Sequence, residues 1–169
     1  MIAFLNYFVR GLLFLVLEWL VVSKLEPGPG WAPVLYPMFF FALPVQFSAS
    51  ARMMLGFAFG LLLDLGLGTG GLHAASTTAM TFVQPFILRY FLSVDERETN
   101  LKPGPKSLGW LRYLWMAFWL LLVHQFFYQL YSLFSLGAPV LLLIRWIGNT
   151  FMSLALIGLV QGLFYKKKK

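Results

Sequence analysis

The chain has 169 residues, of which 60% are hydrophobic and 11% charged, with a net charge of +7 and no cysteine. A soluble domain carries roughly 25% charged residues, so this much apolar surface excludes an ordinary water-soluble fold and points to one integral membrane domain. The missing cysteines exclude disulfides, thiolate nucleophiles and cysteine metal sites, and the basic residues cluster at segment ends, as membrane orientation requires and nucleic-acid binding does not.

The first apolar segment runs from about Ala3 to Val22 and carries Arg10 and Glu18. Without a small-residue cleavage site it is expected to remain as a membrane helix. The stretch Lys24 to Gly30 is a turn-rich stop. Segment 2, about Trp31 to Phe47, is apolar but contains Pro33, Pro37 and Pro44. It is expected to be a helix that Pro37 or Pro44 kinks or ends. Ser48 to Arg52 is a short polar link, and segment 3 runs from about Met53 to Leu67. Segment 4, about Leu72 to Leu92, contains Pro85. The only long polar stretch, Ser93 to Gly109, leads to segment 5, about Trp110 to Phe134, and a tight connection at Ser135 to Pro139. Segment 6, about Val140 to Tyr165, precedes four terminal lysines, Lys166 to Lys169.

The expectation is an all-α integral membrane protein with six transmembrane helices over 3–22, 31–47, 53–67, 72–92, 110–134 and 140–165. Arg52, Arg89, Arg97, Lys102, Lys106, Arg112 and the lysine tail then fall on one side, against Lys24 on the other. The positive-inside rule puts that side, both termini and the 93–109 linker in the cytoplasm. A re-entrant hairpin of segments 2 and 3 is the less favoured layout, because it would bury Arg52.

Ionised groups in lipid cost roughly 2.5–3.5 kcal/mol even on insertion scales. Glu18, Asp64, His73 and Arg145 fall at one depth in the outer half. Either they form a cluster in which Arg145 pairs Asp64 or Glu18, or each snorkels separately to the interface. In segment 5, His124 and Tyr128 share a helix face, as do Gln125 and Gln129. Interhelical hydrogen bonds are the simpler role for them, a partner or ligand the sharper one. Asn149 lies one turn from Arg145. Gly56 and Gly60 form a GxxxG stripe, answered by Gly71, Ala75 and Ala79 in the next segment. Small residues at this spacing let two backbones approach, and the short connection makes segments 3 and 4 antiparallel neighbours. No residue pattern points to catalysis. His73 and His124 make no metal-spacing motif, and Gly66 to Gly71 lacks the lysine of a phosphate loop.

The run GFAFGLLLDLGLGTGGLHAASTTA from Gly56 to Ala79, followed by FVQPFILRYF, resembles the family of rod shape-determining protein MreD. Gly60, Leu61, Asp64, Gly71, Ala74 and Ala75 match its motif of glycine, leucine, apolar residues and aspartate, a Gly-rich turn and a small-residue helix start. The resemblance is specific over about Gly56 to Pro85 and is one of hydropathy elsewhere. It implies a non-enzymatic scaffold of the bacterial cytoplasmic membrane, without a cofactor. Its implied partners are MreC, the RodA glycosyltransferase, a penicillin-binding transpeptidase and MreB, within the peptidoglycan-synthesising elongasome that sets cell shape. It also implies a bundle like the S-components of energy-coupling-factor transporters, so a substrate-binding transporter subunit is the alternative. The AxxxA docking face that S-components carry on segment 1 is absent from this chain's segment 1.

Overall fold

A computed structural model of the chain describes residues 2–25, 27–99, 101–136 and 139–164. The lysine tail and Tyr165 lie outside the described residues, as do the side chains of Tyr131 and of 132–136. The described residues form helices and no strand. Five helices are long: α1 (Ile2–Leu20), α3 (Ala49–Leu67), α4 (Leu72–Phe91), α7 (Trp110–Leu136) and α8 (Pro139–Phe164). Three are short: α2 (Pro37–Phe41), α5 (Val94–Glu98) and α6 (Pro105–Leu108). Helix α3 packs on α4, α4 on α7, and α7 on α8, while α1 touches α3 far less. Between α1 and α3 an apolar cleft of about 420 Å³ stays open, lined by Phe8, Leu12, Phe59 and Leu62 among others.

The bundle buries polar side chains within an apolar core and exposes large apolar ones. Its buried side chains include Glu18, Arg52, Asp64, His73, Gln84, His124, Gln125 and Asn149. Its exposed ones include Leu13, Phe57, Leu65, Phe82, Phe86, Trp115, Trp119, Ile144 and Phe151. By length and composition, three helical stretches suit a membrane crossing: Leu5–Lys24, Ala49–Leu67 and Pro139–Leu163. Polar residues lower the average hydropathy of α4 and α7, but His73, Ser76, Thr77, Thr81, Gln84, His124, Gln125 and Gln129 face inward, and the exposed Arg89 and Arg112 lie near the helix ends. Such a distribution suits a nonpolar solvent.

The helix expected over 31–47 does not form. Residues 31–35 carry no regular structure, α2 takes five residues, and 42–47 are turns. The three prolines explain this. Each lacks an N–H, and each disfavours helical geometry in the residue before it. Pro37 therefore sits at the first helical position of α2, where its missing donor costs nothing. The broken segment nevertheless runs through the middle of the bundle. Val34, Tyr36, Phe40 and Phe41 are each 0–1% exposed. It starts beside Gln129 and Asn149, which hold Gly30, and ends where the Val45 N–H donates to the Leu101 carbonyl at 2.9 Å.

Helix α3 begins earlier than expected, at Ala49, because Ser48 caps it by accepting from the Ala51 N–H at 3.3 Å. Arg52 therefore belongs to the first turn of α3 rather than to an exposed link, and it is 1% exposed. Its burial is in protein. Arg52 Nε donates to the Phe47 carbonyl at 3.0 Å, and Nη2 to those of Val45, at 3.2 Å, and Pro44. One guanidinium thus gathers the carbonyls at the end of the broken segment.

In the linker, Ser93 and Glu96 form a capping box on α5, and Glu96 also pairs with Arg112 at 2.8 Å. The Arg112 hydrogen bond, helped by the Ser93 N–H, holds the Glu96 carboxyl down at about 2. A depressed carboxylate adds stability above its unfolded pKa, and that contribution fades as pH falls toward the folded value. The α5–α7 link is therefore expected intact above about pH 4.5 and lost toward pH 2. Protection from hydrogen exchange at 94–98, corrected for the intrinsic pH dependence of exchange, should fall over that window in the native chain and stay level in Glu96→Gln.

Candidate functional site

Residues 30–36 have no helix to absorb their backbone groups, and from Pro33 on they are buried. A buried polar group without a partner costs ~1–3 kcal/mol, so side chains of three surrounding helices supply partners to this stretch, and a fourth helix supplies one to the Phe40 carbonyl that follows. From α8, Asn149 Oδ1 accepts from the Ala32 N–H at 3.0 Å, and its Nδ2 donates to the Gly30 carbonyl at 3.1 Å. Ser153, one turn on, accepts from the Val34 N–H at 2.9 Å. From α7, Gln125 Nε2 donates to the Ala32 carbonyl and to Ser153 Oγ, both at 3.2 Å, and Gln129 Nε2 donates to the Gly30 carbonyl at 3.2 Å. From α1, Glu18 Oε2 accepts from the Leu35 and Tyr36 N–H groups at 3.0 and 3.1 Å. From α4, Gln84 Nε2 donates to the Phe40 carbonyl at 2.8 Å. Irregular backbone at membrane depth is tolerated where protein surrounds it and satisfies it in this way.

Asn149→Leu is a direct test. It keeps the volume but removes the acceptor of the Ala32 N–H, while the Gly30 carbonyl keeps Gln129. A destabilisation of about 1–2 kcal/mol is expected in detergent unfolding titrations.

At the centre of the segment, the Tyr36 hydroxyl is 2.8 Å from Thr77 Oγ1 and 3.3 Å from His73 Nδ1. It also meets His124 Nε2, which lies 3.1 Å from Ser76 Oγ. The ring of Tyr128 lies 5.0 Å from that of His73 and stacks on that of His124. His124 Nδ1 is buried with no partner among the described residues. The neighbours His124 and Tyr128 thus join the polar centre, while Gln125 and Gln129 face the broken chain.

Asp64 has a separate task. Its Oδ1 accepts from Thr69 Oγ1 at 2.5 Å and from the His73 N–H at 3.0 Å, and its Oδ2 accepts from the Ala74 N–H at 2.9 Å. These are the second and third residues of α4, whose capping position is Gly71, a residue with no side chain to offer. The acid at the end of α3 therefore caps the next helix, where a negative charge also suits the helix dipole. Gly68, at φ +68°, ends α3 in the left-handed conformation, and Gly71, at φ +97°, turns the chain into α4.

This cap sets the rotation of α4. A side chain at Gly60 would meet the Ala74 Cα and the His73 carbonyl at 2.5 Å, and one at Gly56 would meet Thr81 Oγ1 at 2.7 Å. The partner face is Ala74, Thr77 and Thr81. Ala75, expected on the packing stripe with Gly71 and Ala79, is exposed instead.

The structure brings Glu18, Asp64 and His73 together around the start of the broken segment. It does not pair Arg145 with either acid. Both carboxylates are held by other donors, and the one ion pair among the described residues is Arg112–Glu96. The Arg145 guanidinium lies against Gly30, where a Cβ would approach its Cζ to 2.5 Å. Sequence reasoning passed over Tyr36, Ser153, Thr77 and Gln84. The signal for them was three prolines in one apolar run, which left backbone donors and acceptors for other helices to meet. Comparison with protein-family models, curated proteins and solved structures finds no match to this chain.

Proposed function

We propose that the chain is a non-enzymatic scaffold of the MreD type in the bacterial cytoplasmic membrane. It crosses six times, five as helices and once as the broken segment 31–47, with both termini and the 93–109 linker cytoplasmic. It binds MreC and so helps position RodA, a penicillin-binding transpeptidase and MreB for peptidoglycan synthesis during elongation. The exposed Arg89, Lys102, Lys106 and Arg112 lie at the proposed cytoplasmic end, as the positive-inside rule asks.

The observation that carries this reading is the use of the residues behind the resemblance. Gly60, Asp64, Gly71 and Ala74 form one mechanical device, a close helix contact locked by a carboxylate cap. Glu18, Gln84, Gln129, Asn149 and Ser153 are likewise spent on backbone. That is the construction of a rigid frame. The test is co-purification of the tagged, full-length chain from its native membrane. Recovery of MreC supports the scaffold. Recovery of a transporter coupling subunit, or of a tightly bound vitamin, overturns it in favour of an S-component-like transporter subunit.

A further inference from the structure

A cavity of about 280 Å³ opens beside residues 32–34, at the end of the bundle that carries Asp64 and His73. Glu18, Lys24, Thr69, His73 and Tyr128 line it, with Val34 and Leu67 among its apolar walls. Glu18 and His73 are 2% and 3% exposed. Each has one polar atom committed to the frame and one that is not. Glu18 Oε2 takes both backbone N–H groups, whereas Oε1 makes no hydrogen bond among the described residues. His73 Nδ1 meets Tyr36, whereas Nε2 meets no partner among them. Neither atom is among those sealed inside the protein without a partner. Both therefore open onto the cavity they line. Lys24 stands exposed at the rim, on the same wall of the chain as Glu18.

From this geometry we infer that the cavity is a binding site for a small ammonium-bearing molecule of amino-acid size, its ammonium held by Glu18 Oε1 beside His73. Three features select this class. Glu18 Oε1 has no donor among the described residues and faces the cavity, so it is the free acceptor there. Lys24 at the mouth offers a cation to the other end of a ligand that carries its own carboxylate. The volume of about 280 Å³ falls just below the ~300–1,000 Å³ of pockets that hold drug-sized ligands, which leaves room for a small α-amino acid. Bulkier groups are also blocked by the ring of Tyr128, held against His73.

The site does not depend on the scaffold reading. Failure to recover MreC would leave it standing, and absence of binding would leave the scaffold standing. The probe is radiolabelled L-alanine on the purified full-length chain in nanodiscs, with ethylamine and acetate as competitors. Saturable binding is expected, displaced by ethylamine and not by acetate. Glu18→Gln keeps an oxygen for the Leu35 and Tyr36 N–H groups and should weaken binding about tenfold with unchanged helicity. Lys24→Ala should weaken L-alanine more than ethylamine. Ser23→Trp, which fills the cavity from its rim, should abolish binding even if Glu18→Gln does not fold. The inference is overturned if neither L-alanine nor ethylamine binds saturably up to concentrations on the order of 10 mM. It is equally overturned if acetate competes as well as ethylamine, or if Ser23→Trp or a folded Glu18→Gln binds like the native chain.

Discussion

Adding a single methyl group at Gly60 is expected to separate α3 from α4 and cost about 3 kcal/mol, the upper end of the range for overpacking a core. The size of the effect follows from what the new Cβ would strike. At Gly60 the obstacles are backbone atoms of the neighbouring helix, the Ala74 Cα and N and the His73 carbonyl, at 2.5–2.6 Å. Backbone cannot rotate aside as a side chain can, so the whole helix must move. At Gly56 the obstacle is mainly the side chain of Thr81. Gly56→Ala should therefore cost less than Gly60→Ala. Gly162, with nothing within 4 Å, should accept alanine with no loss. Unfolding of the three variants in mixed micelles gives the order directly. Equal stability of Gly60→Ala and Gly162→Ala would refute the close contact. The two helices belong to one chain, so the defect should appear as lost folding and not as lost self-association.

Asp64→Ala is the second large effect, expected at about 3 kcal/mol or more. It leaves the His73 and Ala74 N–H groups and the Thr69 hydroxyl without their acceptor, and each such loss costs ~1–3 kcal/mol where water cannot replace it. Asp64→Asn retains one acceptor oxygen but turns an NH₂ toward one of the donors, so it should lie between alanine and the native residue. The pair also predicts a coupling. Moving α4 away from Gly60 lengthens the same hydrogen bonds that Asp64 makes. Gly60→Ala and Asp64→Ala together should therefore cost less than their sum, by more than the ~0.5 kcal/mol scatter of independent sites. Additive losses would mean that the cap and the contact are separate devices.

Much of the frame was legible in hydropathy. The bounds of α1, α4, α7 and α8 lie within a few residues of the apolar runs, because each run is long enough to commit the backbone to a helix. The 31–47 run was misread because hydropathy measures solvent preference and carries no information on backbone conformation. An extended chain and a helix of the same residues are equally apolar. The prolines recorded the difference, but as a kink rather than as a string of unmet backbone groups. The polar residues of the site were found with the wrong partners for the same reason. Gln125 and Gln129 read as helix-to-helix hydrogen bonders, since nothing in their own spacing reveals a non-helical strip of chain between the helices. Ala75 was chosen over Ala74 because four-residue spacing places it in line with Gly71. The actual rotation of α4 follows from a contact nine and ten residues back along the chain, Asp64 to His73 and Ala74.

The broken segment also sets a timetable for biogenesis. The Ala32 and Val34 N–H groups donate to Asn149 and Ser153, residues 117 and 119 positions later. At a ribosomal rate of ~5–20 residues per second, those acceptors emerge roughly 6–23 s after the groups they satisfy. Throughout that interval the segment has no complete set of partners in the bilayer. Its stable residence must await the last helix, or a stand-in such as the translocase or an insertion chaperone. A chain stopped before α8 would present that unhoused strip to membrane quality control. Loss of the final helix should therefore shorten the lifetime of the whole protein, although none of the other long helices would have lost a residue.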